Sequence, residues 1–258
     1  MNSSGLLEKI LKRDRLIVLT GLIVLSILAW VYLLKMAQDM GTMPMIPKAL
    51  TPWNAGDVFW LFLMWAVMMV AMMTPSAAPL ILTYAVIHRK RFNQKDTFSC
   101  TVIFLTGYLV IWTAFSLIAA LTQWWLHSAA LLSPMMVSKS AMLSGGLLIA
   151  AGIYQWLPLK QTCLAHCRSP VDFFMTSWRN GKGGAFSMGI HHGAFCAGCC
   201  WHLMALLFVA GVMTLWWVAL IAAFVLIEKV IPGGKQLGRV TGVFLIGWGF
   251  WFLSSLFV

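Results

Sequence analysis

The sequence predicts an all-α protein, a polytopic transmembrane helical bundle, and two observations carry that prediction. Hydrophobic residues make up 61% of the 258 residues and charged residues make up 10%, a composition typical of membrane proteins. The apolar residues fall in long runs separated by short basic segments, as membrane topology requires. The net charge of +11 therefore indicates orientation in a lipid bilayer, and we expect no nucleic-acid partner.

About seven apolar runs are long enough to be interpreted as membrane spans. The first follows a basic N-terminal segment and is too long for the apolar part of a signal peptide, so we expect it to be retained. The second is longer than a bilayer requires and contains Pro75 and Pro79, which predict a kink. The predicted spans cover residues 16–34, 57–87, 98–126, 141–159, 186–213, 215–231 and 240–256.

The distribution of basic residues predicts that the N-terminus lies inside and the C-terminus outside. Three of the 18 Lys and Arg residues fall in predicted outer segments, namely Lys35, Lys48 and Lys139. The remainder fall in predicted inner segments, where positive charge is normally enriched. The predicted organisation is a single transmembrane domain over residues 1–258, with an N-terminal span and methionine-rich outer loop at 1–54 and a six-span core at 55–258.

The fifth predicted span holds the densest group of metal-binding residue types in the chain. On a helix turning about 100° per residue, three thiols and an imidazole fall within an arc of roughly 100°. The arc contains His192, Cys196, Cys199 and Cys200, and its flank carries His191 and His202. Ionisable groups are costly inside a membrane, so such a cluster predicts a functional site, and its donor types favour a soft metal. The alternative is that the cysteines act as small hydrophobic residues.

A second sulfur-rich face lies on the second predicted span. It consists of Met64, Met68 and Met72, extended by Met69 and Met73. Methionine also fills cores, but residue 72 and the cysteines lie at matching depths in their spans. We therefore predict that the two faces pack directly, with Met72 or Met68 near Cys196 or Cys199. Thioethers and thiolates together suit Cu(I).

Further candidate ligands lie on both sides of the predicted membrane. A thioether cannot form a disulfide, so methionines suit an oxidising outer compartment and thiols a reducing inner one. The alternative for the outer methionines is an amphipathic stretch that faces lipid or a partner. The outer set is Met36, Met40, Met43 and Met45, and the inner set, in the long predicted loop 160–186, is Cys163, His166 and Cys167.

Glu228 is the one acidic residue that we predict at membrane depth. It lies near the inner end of the sixth predicted span. There it could orient the imidazole of His191 or His192, as partners of metal-binding histidines commonly do, or it could pair with Lys229.

Several other chemistries have no support in the sequence. No phosphate-binding loop, dinucleotide fingerprint or Ser-His-Asp arrangement is present, and the CAGC motif is followed by Cys200 rather than by the histidine of a haem attachment site. A thiol–disulfide enzyme remains possible, because Cys196 and Cys199 form a C-x-x-C motif.

Four motifs together resemble a bacterial domain-of-unknown-function family described as predicted metal-binding integral membrane proteins. They are WAVM at 65–68, AMMTP at 71–75, GAFCAGCCW at 193–201 and EK at 228–229, and the resemblance covers residues 55–250. It implies a multi-pass protein of the bacterial inner (plasma) membrane and no established reaction. The metal site that it implies consists of Met68, Met72, Met73, Cys196, Cys199 and Cys200, with His192.

Three functional hypotheses follow from these features. The first is a membrane protein that binds, transfers or moves a soft metal, with Cu(I) as the expected ion, and supplies a membrane or periplasmic cuproenzyme or exchanges copper with a metal chaperone. The second is a thiol–disulfide oxidoreductase that uses Cys196 and Cys199. The third is a structural subunit of a larger membrane complex. Of the three, only the second requires the chain to catalyse a reaction.

Overall fold

The computed structural model describes residues 3–42, 54–91, 96–129 and 140–254. Within these ranges the regular structure is entirely α-helical, which confirms the predicted fold class. The helices are α1 (Ser3–Thr42), α2 (Ala55–Arg91), α3 (Thr97–Ser128), α4 (Ala141–Tyr154), α5 (Pro158–Arg168), α6 (Pro170–Ser177), α7 (Gly181–Ala205), α8 (Leu207–Ala210), α9 (Leu215–Val230) and α10 (Gly234–Ser254).

The structure gives five or six candidate membrane spans in the described ranges, where the sequence predicted about seven. Five helical segments are long and apolar enough to cross a membrane, and α4 with α5 makes a sixth if this pair, bent by 64°, counts as one span. The sixth predicted span became α9, whose 16 residues fall short of the roughly 20 that a bilayer requires. The predicted inside and outside positions of the termini stay predictions.

The long inner loop predicted at residues 160–186 is largely helical. Pro158 and Pro170 each occupy the first position of a short helix, where a missing backbone N–H costs little. The resulting helices α5 and α6 fold back against the bundle, and α5 packs against α7. Residues that were expected in a loop are therefore brought to the middle of the molecule.

Helix α3 packs closely against α7, and two glycines explain the short separation. A Cβ atom added to Gly189 would collide with the backbone carbonyl of Phe104, and one added to Gly107 would collide with that of Phe186. Small residues allow such close helix approach in membrane proteins. Because α3 also packs extensively against α2, it lies between α2 and α7 over much of their length.

We expect Gly189→Ala to lower the thermal stability of the purified protein. The added methyl group has backbone atoms as neighbours, and overpacking of this kind typically costs about 1–3 kcal/mol. The matched control is Gly183→Ala on the same helix, because nothing lies within 4 Å of its added Cβ. Alanine there is expected to be neutral or to stabilise the helix by about 0.5–1 kcal/mol. Equal melting temperatures for the two variants would contradict the proposed close contact.

Candidate metal centre

The three cysteines of α7 face the protein interior near the middle of their helix. Cys196 lies close to the midpoint of the 30-residue segment Gly181–Ala210, and its thiol is fully buried, as are those of Cys199 and Cys200. All six cysteines of the chain are free. The thiols of Cys199 and Cys200 lie 3.1 and 2.7 Å from the carbonyl oxygen of Cys196, to which they donate. The three sulfur atoms are thus gathered around one helical turn.

Met73 of α2 provides the thioether that meets this group. Its Sδ lies 3.9 Å from Sγ of Cys200, and its side chain is fully buried. The contact predicted from the sequence, Met68 or Met72 near Cys196 or Cys199, stays a prediction. Both methionines are buried on α2, and Met73 is the residue after Met72, about 100° further round the helix.

The prediction that the two helices pack directly along these faces is corrected. Helix α3 lies against both α2 and α7, since its backbone approaches α7 closely at Gly107 and Gly189. Its Tyr108 bridges the two sulfur-bearing helices, because the hydroxyl lies 3.1 Å from the carbonyl oxygen of Met73 and 3.2 Å from Sγ of Cys196. The sequence reasoning missed Tyr108. A buried tyrosine hydroxyl normally finds a polar partner, so a tyrosine in the middle of an apolar span was the available signal.

Lys229 is a second residue whose role the sequence reasoning missed. Its Nζ lies 3.0 Å from Sγ of Cys196 and 3.1 Å from Oγ of Ser76, and the side chain is buried. Because α9 ends beside the middle of α7, the ammonium group of Lys229 lies next to the thiol of Cys196. From the sequence, Lys229 was considered only as an alternative partner for Glu228.

Glu228 makes a different contact from the one predicted. Its carboxylate forms a buried ion pair with Lys160 of α5, which also contacts the side-chain oxygen of Gln155. Neighbouring positions on a helix point about 100° apart, so Glu228 and Lys229 face different sides of α9. The ion pair of Glu228 is thus with Lys160, a residue that neither predicted alternative named.

The inner cysteine pair joins the α7 thiols, although the sequence treated it as a separate site. Sγ of Cys167 lies 3.9 Å from Sγ of Cys199, and a Cβ added to Gly198 would lie 3.0 Å from Sγ of Cys163. His166 does not share this contact, because its ring stacks on Phe195 with 4.2 Å between ring centroids. The ion pair between Lys160 and Glu228 ties α5 to α9 and so helps to hold these thiols in place.

The histidines of α7 lie beside aromatic rings. His192 is buried and its ring lies 5.5 Å from that of Tyr108, with no hydrogen-bond partner for Nδ1. His202 is buried with its ring 4.6 Å from that of Tyr154, and neither of its ring nitrogens has a partner. His191 is exposed and packs against Phe173 and Phe195. Their predicted roles as ligand or supporting residues stay predictions.

The outer methionines can be placed only in part. Met36 packs against the core from α1, and the side chains of Met40, Met43 and Met45 lie outside the described residues.

The donor set fits a soft monovalent ion bound by few ligands. Among the described residues, no group of three or more His, Cys, Asp or Glu side chains is spaced to hold a metal ion. Methionine is not among these residue types, whereas the donor set at this site consists of the thiols of Cys196 and Cys200 and the thioether of Met73. Thiolate and thioether ligands select Cu(I). The separation of 3.9 Å between Met73 Sδ and Cys200 Sγ suits one bridging ion, because two metal–sulfur bonds of about 2.3 Å span up to roughly 4.6 Å.

A family model points to the same metal. The model of the PpoB2 family, described as a copper chaperone, matches residues 62–252. The chain belongs to the PpoB2 copper chaperone family. No curated protein and no solved structure matches the chain.

Membership of the PpoB2 family confirms the metal-handling character that the sequence resemblance implied, and it supports copper as the metal. The matched region includes the sulfur atoms of Met73 and of the α7 cysteines, together with Tyr108 and Lys229. Helix α1 and the outer methionines precede it.

Proposed function

We propose that this chain is a membrane-embedded Cu(I) chaperone in which Cys196, Cys200 and Met73 hold the ion. The observation that carries the proposal is the meeting of the Met73 thioether with the Cys200 thiol, 3.9 Å apart, in a member of a copper chaperone family. Cys196 belongs to the same set because its thiol neighbours Tyr108 and Lys229 on the same side of α7. Copper is the cargo of this site, so the chain needs no catalytic group.

Transfer of copper uses a second pair of thiols. Cys199 lies on the same helical turn as Cys196 and Cys200, and its thiol faces Cys167 across 3.9 Å. Of the six cysteines, Cys167 is partly exposed and the other five are buried. Copper moves from the buried site to Cys167 by ligand exchange, in which one copper–sulfur bond forms as another breaks and the ion remains Cu(I). Cys167 is then the point of exchange with a partner.

The predicted topology assigns a side to this exchange. With the N-terminus inside, the segment that contains α5 enters the bundle from the inner side of the bacterial inner membrane, and a soluble metal chaperone would reach Cys167 from that side. The same predicted topology assigns the sequence segment with the outer methionines to the side of a membrane or periplasmic cuproenzyme. We propose the whole of residues 1–258 as one transmembrane unit, with residues 55–258 carrying the copper route.

The test of the transfer step is Cys167→Ser. We expect the variant to bind as much Cu(I) as the wild type and to release it to a soluble Cu(I) chelator about tenfold more slowly, since the thiol of the one partly exposed cysteine is gone. Stopped-flow absorbance of the chelator complex measures the rate. Cys100→Ser is the control, because Cys100 is buried on α3, two helical turns before Tyr108. Identical release rates for the wild type and Cys167→Ser would remove Cys167 from the route.

A thiol–disulfide function has one observation in its favour. The thiols of Cys167 and Cys199 are close enough to form a disulfide after a small movement, whereas the sequence suggested Cys196 with Cys199. Such a reaction would remove two electrons and two protons from the thiols, and a quinone or a partner disulfide would accept them. Peptide mapping after purification without copper separates the functions, because a redox enzyme would carry this disulfide in a large fraction of molecules.

A further inference from the structure

We propose that Lys229 sets the charge selectivity of the copper site: its ammonium group favours a monovalent ion held by two thiolates over a divalent one. The inference deepens the proposed function and rests on it. Nζ of Lys229 lies 3.0 Å from Sγ of Cys196, and the lysine side chain is buried among the helices that carry the sulfur ligands. A cation at this position adds to the charge of any metal ion bound beside it.

The nearest acidic residue in the sequence makes its ion pair with another lysine. The carboxylate of Glu228 contacts Lys160, and both side chains are buried. The recorded hydrogen bonds of Lys229 go to Cys196 and to the hydroxyl of Ser76, which is neutral. The positive charge of Lys229 is therefore directed at sulfur, and a thiolate complex is the anion that it meets.

The charges balance for a monovalent ion. Cu(I) bound by the thiolates of Cys196 and Cys200 forms a complex with a net charge of −1, since the thioether of Met73 is neutral. Lys229 brings the total to zero. A divalent ion on the same ligands forms a neutral complex and leaves the lysine charge uncompensated, which is strongly unfavourable in a buried environment. Coulomb interactions over a few ångströms are much larger there than in water.

The alternative is that Lys229 only orients Cys196 by hydrogen bonding. An orienting group would affect monovalent and divalent ions alike, whereas a fixed charge discriminates between them. Ag(I) and Cd(II) separate the two roles, because both are soft, redox-inert ions with the same electron count and they differ in charge.

The experiment measures the affinities of the 258-residue protein in detergent for Ag(I) and Cd(II) by competition with chelators. Replacing Lys229 by Met or by Gln is expected to lower the ratio of Ag(I) to Cd(II) affinity by about tenfold or more. Lys229→Arg keeps the charge, and Ser76→Ala removes the other hydrogen bond of Lys229 and keeps the charge, so both should retain the wild-type ratio. The melting temperature of each variant is measured in parallel. Two neutral replacements of Lys229 are used so that the test still stands if one of the two variants does not fold.

An unchanged ratio in both neutral variants would overturn the inference, as would an equal fall in Ser76→Ala. Failure of the proposed function looks different. If the wild-type protein binds neither Cu(I) nor Ag(I), the copper site itself is wrong, and the inference about Lys229 falls with it.

Discussion

Replacing Cys196 and Cys200 together by serine is expected to abolish Cu(I) binding by the purified protein. A serine hydroxyl is a poor ligand for a soft ion, and the thioether of Met73 alone provides a single neutral donor. The wild type should bind about one Cu(I) per chain, and the double variant should fall to the background of a copper-free preparation. Metal analysis after removal of loosely bound copper measures both.

Cys100→Ser is the matched control for the loss of copper. Cys100 is equally buried, but it lies two helical turns from Tyr108, so its replacement removes a thiol without touching the site. Melting temperatures of both variants show whether the fold is intact. Full copper binding by the double variant would place the ion elsewhere, and loss of copper in the control as well would indicate a general effect of removing buried thiols.

Breaking the buried ion pair between Lys160 and Glu228 is expected to destabilise the protein severely. Lys160→Met leaves the Glu228 carboxylate buried without its partner, and Glu228→Leu does the same to the lysine. Removing one member of a buried pair typically costs about 3–5 kcal/mol. For a chain of this size such a loss lowers the melting temperature by about 10 °C.

The double variant Lys160→Met with Glu228→Leu tests the physical reason. Replacing both charges by apolar groups removes the unpaired charge, so most of the lost stability should return. Recovery should be incomplete, because the side-chain oxygen of Gln155 also loses its contact with Lys160. Single variants that melt at the wild-type temperature would show that the ion pair does not stabilise the protein. A double variant whose melting temperature falls by the sum of the two single decreases would show that Lys160 and Glu228 do not interact.

The sequence was sufficient for the fold class and for the cysteine face. Long apolar runs predict helices of membrane length, and helical periodicity alone places Cys196, Cys199 and Cys200 on one side of α7. The same reasoning could not choose between Met72 and Met73. That choice depends on how α3 separates α2 from α7, which is set by close contacts at Gly107 and Gly189 between residues far apart in the chain.

The contacts of Glu228 and Lys229 could not be predicted from the sequence, because they too depend on residues far apart in the chain. The sequence offered His191, His192 or the adjacent Lys229 as partners for Glu228. In the structure α5 brings Lys160 to Glu228, which leaves Lys229 directed at Cys196. Because residues 160–186 were interpreted as a loop, neither Lys160 nor Cys167 was expected beside the α7 thiols. The fold of residues 160–186 therefore determines which lysine pairs with Glu228 and which cysteine lies beside Cys199.

X-ray absorption spectroscopy at the copper edge of the Cu(I)-loaded wild-type protein tests the central claim most directly. A site made of Cys196, Cys200 and Met73 predicts a first shell that contains only sulfur, at distances of about 2.3 Å. A first shell dominated by nitrogen or oxygen at about 2.0 Å would contradict the claim and would move the copper to the histidines of α7.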